Sequence, residues 1–374
     1  MRADRIVSIQ TTKERGGAEY ANVDLLDALA ERGHEVLLLT NVPELALGTR
    51  VTVRQIDLGP KLARRSAVRV ALRSPRTLLR LAGALRAARP FGVVLVSFKK
   101  EQLLIPLLPK RLTGRVVWVE WGPVPKQMRR GPGRVAYALA ARRAQRVLAV
   151  SAGTADTVIG AGVPREKVVV LPDLVNLHKV EPDAAGGAML RSAWGVGEQT
   201  FVVGCVARFQ RRKRNDVAID AMTHIDGDVL LVMAGEGDDE QALRARAAPH
   251  GTRVRFVPNV RGHVDAFLSA CDLLVFAPSP TEADRPRVIV MAQLVGLPII
   301  ATHPEGAGSL RLGETGTIIS PYNDPLALAL VLVAYRGDLE RRRREGELAR
   351  RTALEAYDPE STLQAVEEAL ELSD

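Results

Sequence analysis

Short runs of aliphatic and β-branched residues alternate with longer helical or polar segments along almost the whole chain. Runs of this length are typical of strands buried on both faces, as in parallel sheets covered by helices. The alternation therefore predicts an α/β fold of parallel sheets. The runs are Arg5–Gln10, His34–Thr40, Val51–Leu58, Phe91–Phe98, Arg115–Trp121, Arg146–Ser151 and Lys167–Leu171, then Phe201–Val206, Asp228–Ala234, Val254–Val257, Leu273–Phe276, Pro298–Thr302 and Thr317–Ile319.

The chain is too long for one ordinary core, since it has 374 residues. The alternation restarts at Phe201, after a stretch rich in Pro, Gly and Ala at 180–188. We therefore predict two doubly wound, Rossmann-like domains that face each other across a cleft. The predicted divisions are a first domain at 1–180, a linker at 181–195, a second domain at 196–355 and a C-terminal helix at 356–374 that packs back on the first domain.

The composition is that of a globular protein, with 47% hydrophobic and 25% charged residues. Cys205 and Cys271 both lie in apolar segments, which indicates buried thiols in a reducing compartment without a disulfide framework. The first apolar run is too short for a signal peptide, and no window has the roughly 18 apolar residues of a membrane span. These features predict a cytoplasmic location, and the sequence carries no nucleic-acid-binding motif.

The formal net charge is +9, and most of the basic residues are arginines. Three explanations stay open: a GC-rich genome, an anionic ligand such as a phosphate, or an anionic membrane surface. The segment Lys61–Pro90 is strongly basic and helical in pattern, and the Ser74-Pro75 step favours two short helices over one long helix. It is either a solvated helix face or an interfacial helix that gives the protein a peripheral membrane contact.

Groups suited to phosphate follow the first strand of each half. Gly16 and Gly17 precede a helix predicted at Ala18–Arg32, where backbone can approach a ligand at a helix N-terminus. The full G-x-G-x-x-G pattern is absent, which argues against an NAD-type site. In the second half, Arg208 and Lys213 follow a strand and precede a helix, an arrangement that suits a pyrophosphate.

A polar loop at Pro278–Pro286 precedes an apolar helical run and the strand Pro298–Thr302. Such a loop lies at the carboxyl end of a sheet strand, where α/β proteins bind their ligands. Glu282 places a carboxylate in it. We interpret this loop as a sugar-binding element.

Several segments together resemble the family 4 glycosyltransferases, which have the GT-B fold. The segment VGCVARFQRRKRNDVAIDAM is similar to the family's stretch with an arginine and, five residues later, a lysine that hold the donor diphosphate. VLLVMAGEGDDEQAL resembles its second-domain glycine loop, and KERGGAEYANVDLLDALAERGHEVLLLTN resembles its N-terminal glycine loop. The stretch from VRFVPNV to VGLPIIAT is also similar to the family's second domain. Taken together, the similar segments cover almost the whole chain.

The resemblance implies a role for each matching residue. Glu282 would contact the donor sugar, and Glu120 would serve at the reacting centre. Trp121 and Glu19 would lie on the acceptor side. The donor-binding residues would be Arg208, Lys213, Gly16, Gly17, Gly235, Gly237, Asp284, Arg287 and Met291.

The sequence departs from the family pattern at two places. Met291 stands where a glutamate usually binds the nucleotide ribose, and methionine cannot accept hydrogen bonds as a carboxylate does. Either ribose recognition is rebuilt by Asp284 or Gln293, or the donor differs, or the protein is inactive. Trp121 stands where the family often has a histidine, and it could instead wall off a sugar face, while Glu120 either bonds the acceptor or faces solvent.

Three functions follow from these patterns. The first is a transferase that moves a sugar from a nucleotide-diphosphate sugar, with a UDP-sugar as the expected donor, without a metal and with retention. Its acceptor would be a sugar, an aminocyclitol or a lipid-linked molecule, in natural-product or cell-envelope glycan biosynthesis. The second is a non-catalytic relative that binds a sugar nucleotide or a partner transferase, and the third is a sugar-nucleotide epimerase.

Overall fold

The chain divides into two compact units, which are described one at a time. Unit 1 comprises Met1–His178 with Asp358–Asp374, and unit 2 comprises Lys179–Tyr357. The structure is a computed structural model. It describes residues 5–11, 16–60, 62, 66–171, 180–258, 260, 262–278, 287–302, 312–321 and 323–372.

Unit 1 is built on a seven-stranded parallel sheet of order β3-β2-β1-β4-β5-β6-β7. The chain winds outward from β1 to β3 and then crosses back to β4, so the topological switch point lies between β1 and β4. The strands are β1 Arg5–Gln10, β2 Glu35–Thr40, β3 Thr52–Gln55, β4 Val93–Val96, β5 Arg115–Glu120, β6 Arg146–Ala149 and β7 Val168–Val170. The helices up to β7 are α1 Gly17–Glu31, α2 Ala67–Ala88, α3 Lys99–Leu104, α4 Lys110–Thr113, α5 Gly131–Ala141 and α6 Ala152–Gly160.

Unit 2 has a six-stranded parallel sheet of order β10-β9-β8-β11-β12-β13, and its switch point lies between β8 and β11. The prediction of two doubly wound Rossmann-like sheets is thereby confirmed. The strands are β8 Phe201–Val206, β9 Val229–Ala234, β10 Val254–Val257, β11 Leu273–Phe276, β12 Ile299–Thr302 and β13 Gly316–Ile319. The helices are α7 Ala184–Trp194, α8 Asn215–Ala221, α9 Glu240–Ala247, α10 Val264–Ala270, α11 Arg287–Val295, α12 Leu312–Thr315, α13 Pro325–Gly337 and α14 Leu339–Ala356.

The two faces of the unit 1 sheet are covered by different helices. Side chains alternate across a strand, so Val7 and Ile9 of β1 face one way and Ile6 faces the other. The first face packs on helices α2, α4, α5 and α6. The second face packs on α1 and on the last helix, α15 Pro359–Leu370. Helix α15 is held to unit 1 by an ion pair between Arg32 Nε and Glu367 Oε1 at 2.9 Å.

The linker predicted at 181–195 is wrong for most of its length, because α7 occupies it and belongs to unit 2. Asp183 caps the helix by accepting from the Gly186 N–H at 2.9 Å. A Cβ on Gly187 would lie 2.8 Å from the Ser269 carbonyl carbon, so the glycine lets α7 lie close against α10. Glycines that suggested a flexible linker therefore serve helix packing.

The prediction of two short helices at 61–90 is also wrong, since α2 continues through Pro75. A proline inside a helix removes one backbone hydrogen bond. The carbonyl that loses its N–H partner is that of Ala71, which is exposed, so water can supply the missing donor. The hydroxyls on either side bond other carbonyls: Ser74 Oγ donates to Val70 at 2.9 Å and Thr77 Oγ1 to Arg73 at 3.0 Å. Helices α14 and α15 are separated at Asp358, whose side chain caps α15. Within the described part of the chain, no helix is long and apolar enough to cross a membrane.

Candidate functional site

The cations predicted to bind phosphate lie at the carboxyl edge of the unit 2 sheet. Arg208 and Lys213 follow β8, which is one of the two strands at the switch point. Lys213 Nζ lies 5.5 Å from the ring centroid of Phe276, the last residue of the other switch-point strand, β11. Both basic side chains are half-buried. The structure therefore places two cations where open α/β sheets bind their ligands.

The loops after β8 and β9 are joined backbone to backbone. The Phe209 N–H donates to the Glu236 carbonyl at 2.9 Å, and the Asp239 N–H donates to the Phe209 carbonyl at 3.0 Å. A Cβ on Gly235 or Gly237 would clash with the carbonyl oxygens of this neighbouring loop. Packing alone therefore explains why positions 235 and 237 are glycines. They let the two loops meet, and this contact fixes the segment that carries Arg208.

Helix α11 begins at the same carboxyl edge, since it follows β11 in a parallel unit. Arg287 and Met291 are four residues apart and both half-buried, so they share one helix face. Gln293 is buried instead, and its Nε2 donates to Thr315 Oγ1 at 3.2 Å. Glu282 and Asp284 lie outside the described residues.

The glycine loop of unit 1 leads into α1 at the sheet's switch point. Gly16 precedes the helix with φ −116°, an extended conformation that any residue can adopt. A Cβ on Gly17 would meet no described atom within 4 Å. Packing therefore does not require a glycine at 17, and close ligand approach stays the predicted reason. Glu19, in the first turn of α1, is buried.

A buried amide network fixes α1 against β1 and β4. Asn22 Nδ2 donates to Gln10 Oε1 at 2.8 Å, and Ser97 Oγ donates to Asn22 Oδ1 at 2.6 Å. All three residues are buried, so each hydrogen bond is protected from water. The network sets the position of the α1 N-terminal region relative to the switch point.

Glu120 ends β5 and is only 2% exposed. It forms an ion pair with Lys99 Nζ, accepts from Gln102 Nε2 at 3.0 Å and accepts from the Tyr137 hydroxyl at 2.7 Å. Both carboxylate oxygens are thus engaged within unit 1, so Glu120 does not face solvent. These contacts join β5 to α3 and α5, and a direct role for Glu120 in catalysis stays a prediction.

Burial shifts the ionisation of the groups around Glu120. Desolvation lowers the pKa of Lys99, and the Glu120 carboxylate opposes that shift. Desolvation, with Glu120 next, raises the pKa of Tyr137 well above its usual value, so its hydroxyl is a donor at neutral pH. A second buried pair lies beside it: Lys100 Nζ is 3.4 Å from Glu101 Oε1, and burial raises the pKa of Glu101.

Trp121 follows Glu120 and packs half-buried against the unit 1 core. Its indole nitrogen is buried without a hydrogen-bond partner among the described residues. Lys99, Gln102 and Tyr137, the partners of Glu120, were not predicted from the sequence. Lys99 follows β4 closely. Its position at the carboxyl end of a switch-point strand could have indicated that it lies near the site. Across the described ranges, no three His, Cys, Asp or Glu side chains form a metal-binding group.

Two protein-family models match the chain, one for each unit. Residues 15–179 match the model described as Glycosyltransferase Family 4, and residues 200–335 match the model described as Glycosyl transferases group 1. Each match contains the residues predicted for its unit, with Gly16 and Gly17 in the first and Arg208 and Lys213 in the second.

A curated relative and several solved structures are also similar. The D-inositol 3-phosphate glycosyltransferase of Xylanimonas cellulosilytica is 29% identical over 194 residues, which are 49% of this chain and 46% of that protein. The chain thus spans about half the length of this relative. HepE of Anabaena, solved with UDP-glucose, has a TM-score of 0.77 at 20% identity, with 98% of this chain and 99% of that one covered. WaaG, a glycosyltransferase involved in lipopolysaccharide biosynthesis, has a TM-score of 0.71 at 17% identity, with 98% and 100% covered.

Proposed function

The chain belongs to the family 4 glycosyltransferases, and we propose that it moves a sugar from a UDP-sugar to a hydroxyl or amine acceptor with retention. The observation that carries the proposal is the pair Arg208 and Lys213 at the unit 2 switch point. The leaving group of such a reaction is a nucleoside diphosphate, so the chief electrostatic task is to stabilise its developing negative charge. Two fixed cations at a strand end supply that stabilisation.

The choice of a UDP-sugar as donor is supported by solved structures with a similar fold. HepE has been solved with UDP, with UDP and glucose, and with UDP-glucose. In this chain we place the diphosphate at Arg208 and Lys213, with Arg287 and Met291 on the adjoining helix face. Met291 would contact the nucleotide through dispersion rather than through hydrogen bonds to the ribose hydroxyls. Glu282 and Asp284 are proposed for the sugar and the ribose.

The acceptor is proposed to bind unit 1 near Gly17 and Trp121, because both lie at the carboxyl edge of its sheet. A sugar, an aminocyclitol and a lipid-linked glycan stay the alternatives. Since Arg208 and Lys213 carry the charge stabilisation, we propose that turnover needs no metal and survives chelation by EDTA. A cytoplasmic location belongs to the same proposal.

The test is nucleotide release with a panel of UDP-, GDP- and dTDP-sugars and acceptors. Arg208→Ala and Lys213→Ala should each lower kcat by about 100-fold or more, the usual cost of removing a charge-stabilising group. Arg211→Ala is the matched control, because Arg211 lies in the same loop but is exposed. Its kcat should stay within about 3-fold of the parent.

Titration calorimetry with UDP separates the alternatives. Tight UDP binding without turnover on any donor would favour the non-catalytic relative. A changed sugar from donor alone, without an acceptor, would favour the epimerase. If Arg208→Ala binds every nucleotide as well as the parent, the assignment of the diphosphate site is wrong.

A further inference from the structure

The positive charge of this protein is concentrated in one segment. Between Leu58 and Ala155 the sequence has 21 Lys and Arg residues and two acidic residues, Glu101 and Glu120. The rest of the chain has 31 basic and 41 acidic residues, out of totals of 52 and 43. A GC-rich genome would raise the arginine content along the whole chain, but it would not remove carboxylates from one segment. The segregation therefore calls for a structural or functional cause.

The segment supplies α2, α4 and α5, three of the four helices that cover one face of the unit 1 sheet; the fourth, α6, carries the exposed Asp156. Both carboxylates of the segment are buried in the polar clusters described above, so every charged side chain on α2, α4 and α5 is basic. On α2, the exposed side chains Arg69, Arg73 and Arg76 recur at helical spacing and form one row. The other exposed basic residues are Arg80, Arg86 and Arg89, then Lys110 and Arg111 of α4, Lys126 and Arg130 before α5, and Arg134 and Arg142 on or after α5. We call the outer surface of α2, α4 and α5 the basic layer.

The arginine row of α2 is not neutralised by the carboxylates that the structure describes. Among the residues that the structure describes, Arg69, Arg73 and Arg76 form no ion pair with any carboxylate. Helix α14 of unit 2 offers the contrast, since it is equally rich in arginine. There Arg341 Nε pairs with Glu345 Oε1 at 2.7 Å, and glutamates are interspersed along the helix. Helix α14 is an ordinary solvated helix face, and α2 is not.

Apolar side chains are exposed beside the arginine row. Leu72 is 79% exposed and Leu79 is 74% exposed, and both lie along one flank of Arg69, Arg73 and Arg76. Further exposed aliphatic residues of the layer are Leu107, Val135 and Leu139. A nucleic-acid surface uses basic groups with stacking aromatics, and exposed leucines gain nothing from a phosphate backbone. A lipid surface uses both features, because leucines enter the acyl boundary while arginines contact anionic headgroups.

We propose that the basic layer docks unit 1 onto an anionic lipid bilayer. The arginine row supplies the electrostatic attraction, and Leu72 and Leu79 insert below the headgroups. The long arginine side chains extend past the leucines to the phosphate level. Docking needs no turnover, so it is independent of the proposed transferase function and is tested separately from it.

The experiment is co-sedimentation of the full chain with vesicles in which roughly a third of the lipid is phosphatidylglycerol and the rest phosphatidylcholine. We expect binding at about 0.05 M salt, clear weakening at about 0.5 M, and no binding to pure phosphatidylcholine. Each arginine near the membrane surface raises the partitioning onto vesicles by about tenfold or less. The triple variant R69Q/R73Q/R76Q should therefore lower partitioning by about 100-fold. L72S/L79S should lower it by about 10-fold or more.

Matched controls come from unit 2. R343Q/R344Q/R351Q removes the same charge from α14, and L330S/L354S removes two exposed leucines from other helices. Both should bind vesicles within about 3-fold of the parent. Equal losses in the α2 and α14 variants would overturn the proposal, because net charge alone would then explain binding. Binding to a DNA duplex together with an unchanged L72S/L79S would also overturn it, in favour of a polyanion surface.

Discussion

The most informative perturbation in unit 1 is Glu120→Gln, which keeps the side-chain size and removes the charge. In the parent, Glu120 pairs with Lys99, whose side chain is 18% exposed. Removing one partner of a buried ion pair costs about 3–5 kcal/mol, because the other charge stays buried without compensation. The partial exposure of Lys99 places the expected loss near the lower limit, at about 3 kcal/mol in the free energy of unfolding of unit 1.

Fluorescence can measure this loss in unit 1 alone. The chain has three tryptophans, and Trp118 and Trp121 lie in unit 1 while Trp194 lies in unit 2. In a Trp194→Phe background, emission therefore reports the urea unfolding of unit 1. Such a probe is needed because a two-unit chain does not have to unfold in one step.

A double variant supplies the control. Lys99→Met with Glu120→Gln removes both charges, so it should lose about 1–2 kcal/mol, less than Glu120→Gln alone. The stability difference should also depend on pH. With Glu120 neutral, the pKa of Lys99 falls further below 10.5, so between that pKa and 10.5 the folded state binds fewer protons than the unfolded state. Stability of Glu120→Gln then rises with pH in this range, by at most about 1.4 kcal/mol per unit, and its deficit shrinks.

Two outcomes would refute the reasoning. One is a Glu120→Gln variant as stable as its parent. This result would mean that water solvates Lys99, so that the ion pair behaves as an exposed one. The other is a double variant that loses as much stability as Glu120→Gln alone, or more. A stable double variant that has lost turnover would instead assign Glu120 a direct part in catalysis.

Two further predictions concern buried thiols and helix glycines. Burial raises the pKa of Cys205 to about 12 and the pKa of Cys271 above its usual range. Neither thiol should therefore react with Ellman's reagent at pH ~8 until denaturant exposes both. Rapid reaction of the folded protein would contradict this. Gly187→Ala should lower the free energy of unfolding by about 1–3 kcal/mol, because its Cβ would meet the α10 backbone at Ser269. Gly83→Ala in α2 meets no described atom within 4 Å and should stabilise by about 0.5–1 kcal/mol, and equal effects in the two glycine variants would show that packing is not the cause.

The central strands were predictable because they are buried on both faces, so each has a short apolar run as its sequence. Phe201–Val206, Val254–Val257 and Leu273–Phe276 have the predicted bounds. Errors arose where a local signal has two physical meanings. Gly187 lowers helical propensity yet permits close helix contact, and Pro75 removes one hydrogen bond from α2, which continues through it. In both places tertiary packing overrides the local preference.

The candidate site was predictable to the extent that position along a strand determines it. Arg208 and Lys213 directly follow an apolar run, so their place at the sheet edge could be inferred. For Lys99 the sequence shows a place after a strand but not its pairing with Glu120. Lys99 and Tyr137 come from separate helices, and only the strand order β4-β5-β6 brings them to Glu120. Whether a polar residue is buried and satisfied depends on such long-range contacts.

This difference separates two kinds of polar residue at the two switch points. Asn22 and Glu120 in unit 1 are buried with their polar atoms engaged, so substitution there removes contacts that hold strands and helices together. Arg208 and Lys213 in unit 2 are half-buried at the sheet edge, where we propose that the diphosphate binds. Changes at the first pair should therefore act on the stability of unit 1, whereas changes at the second pair should act on affinity for the nucleotide. Measured together, unfolding and UDP binding distinguish the residues that build the site from those that contact the ligand.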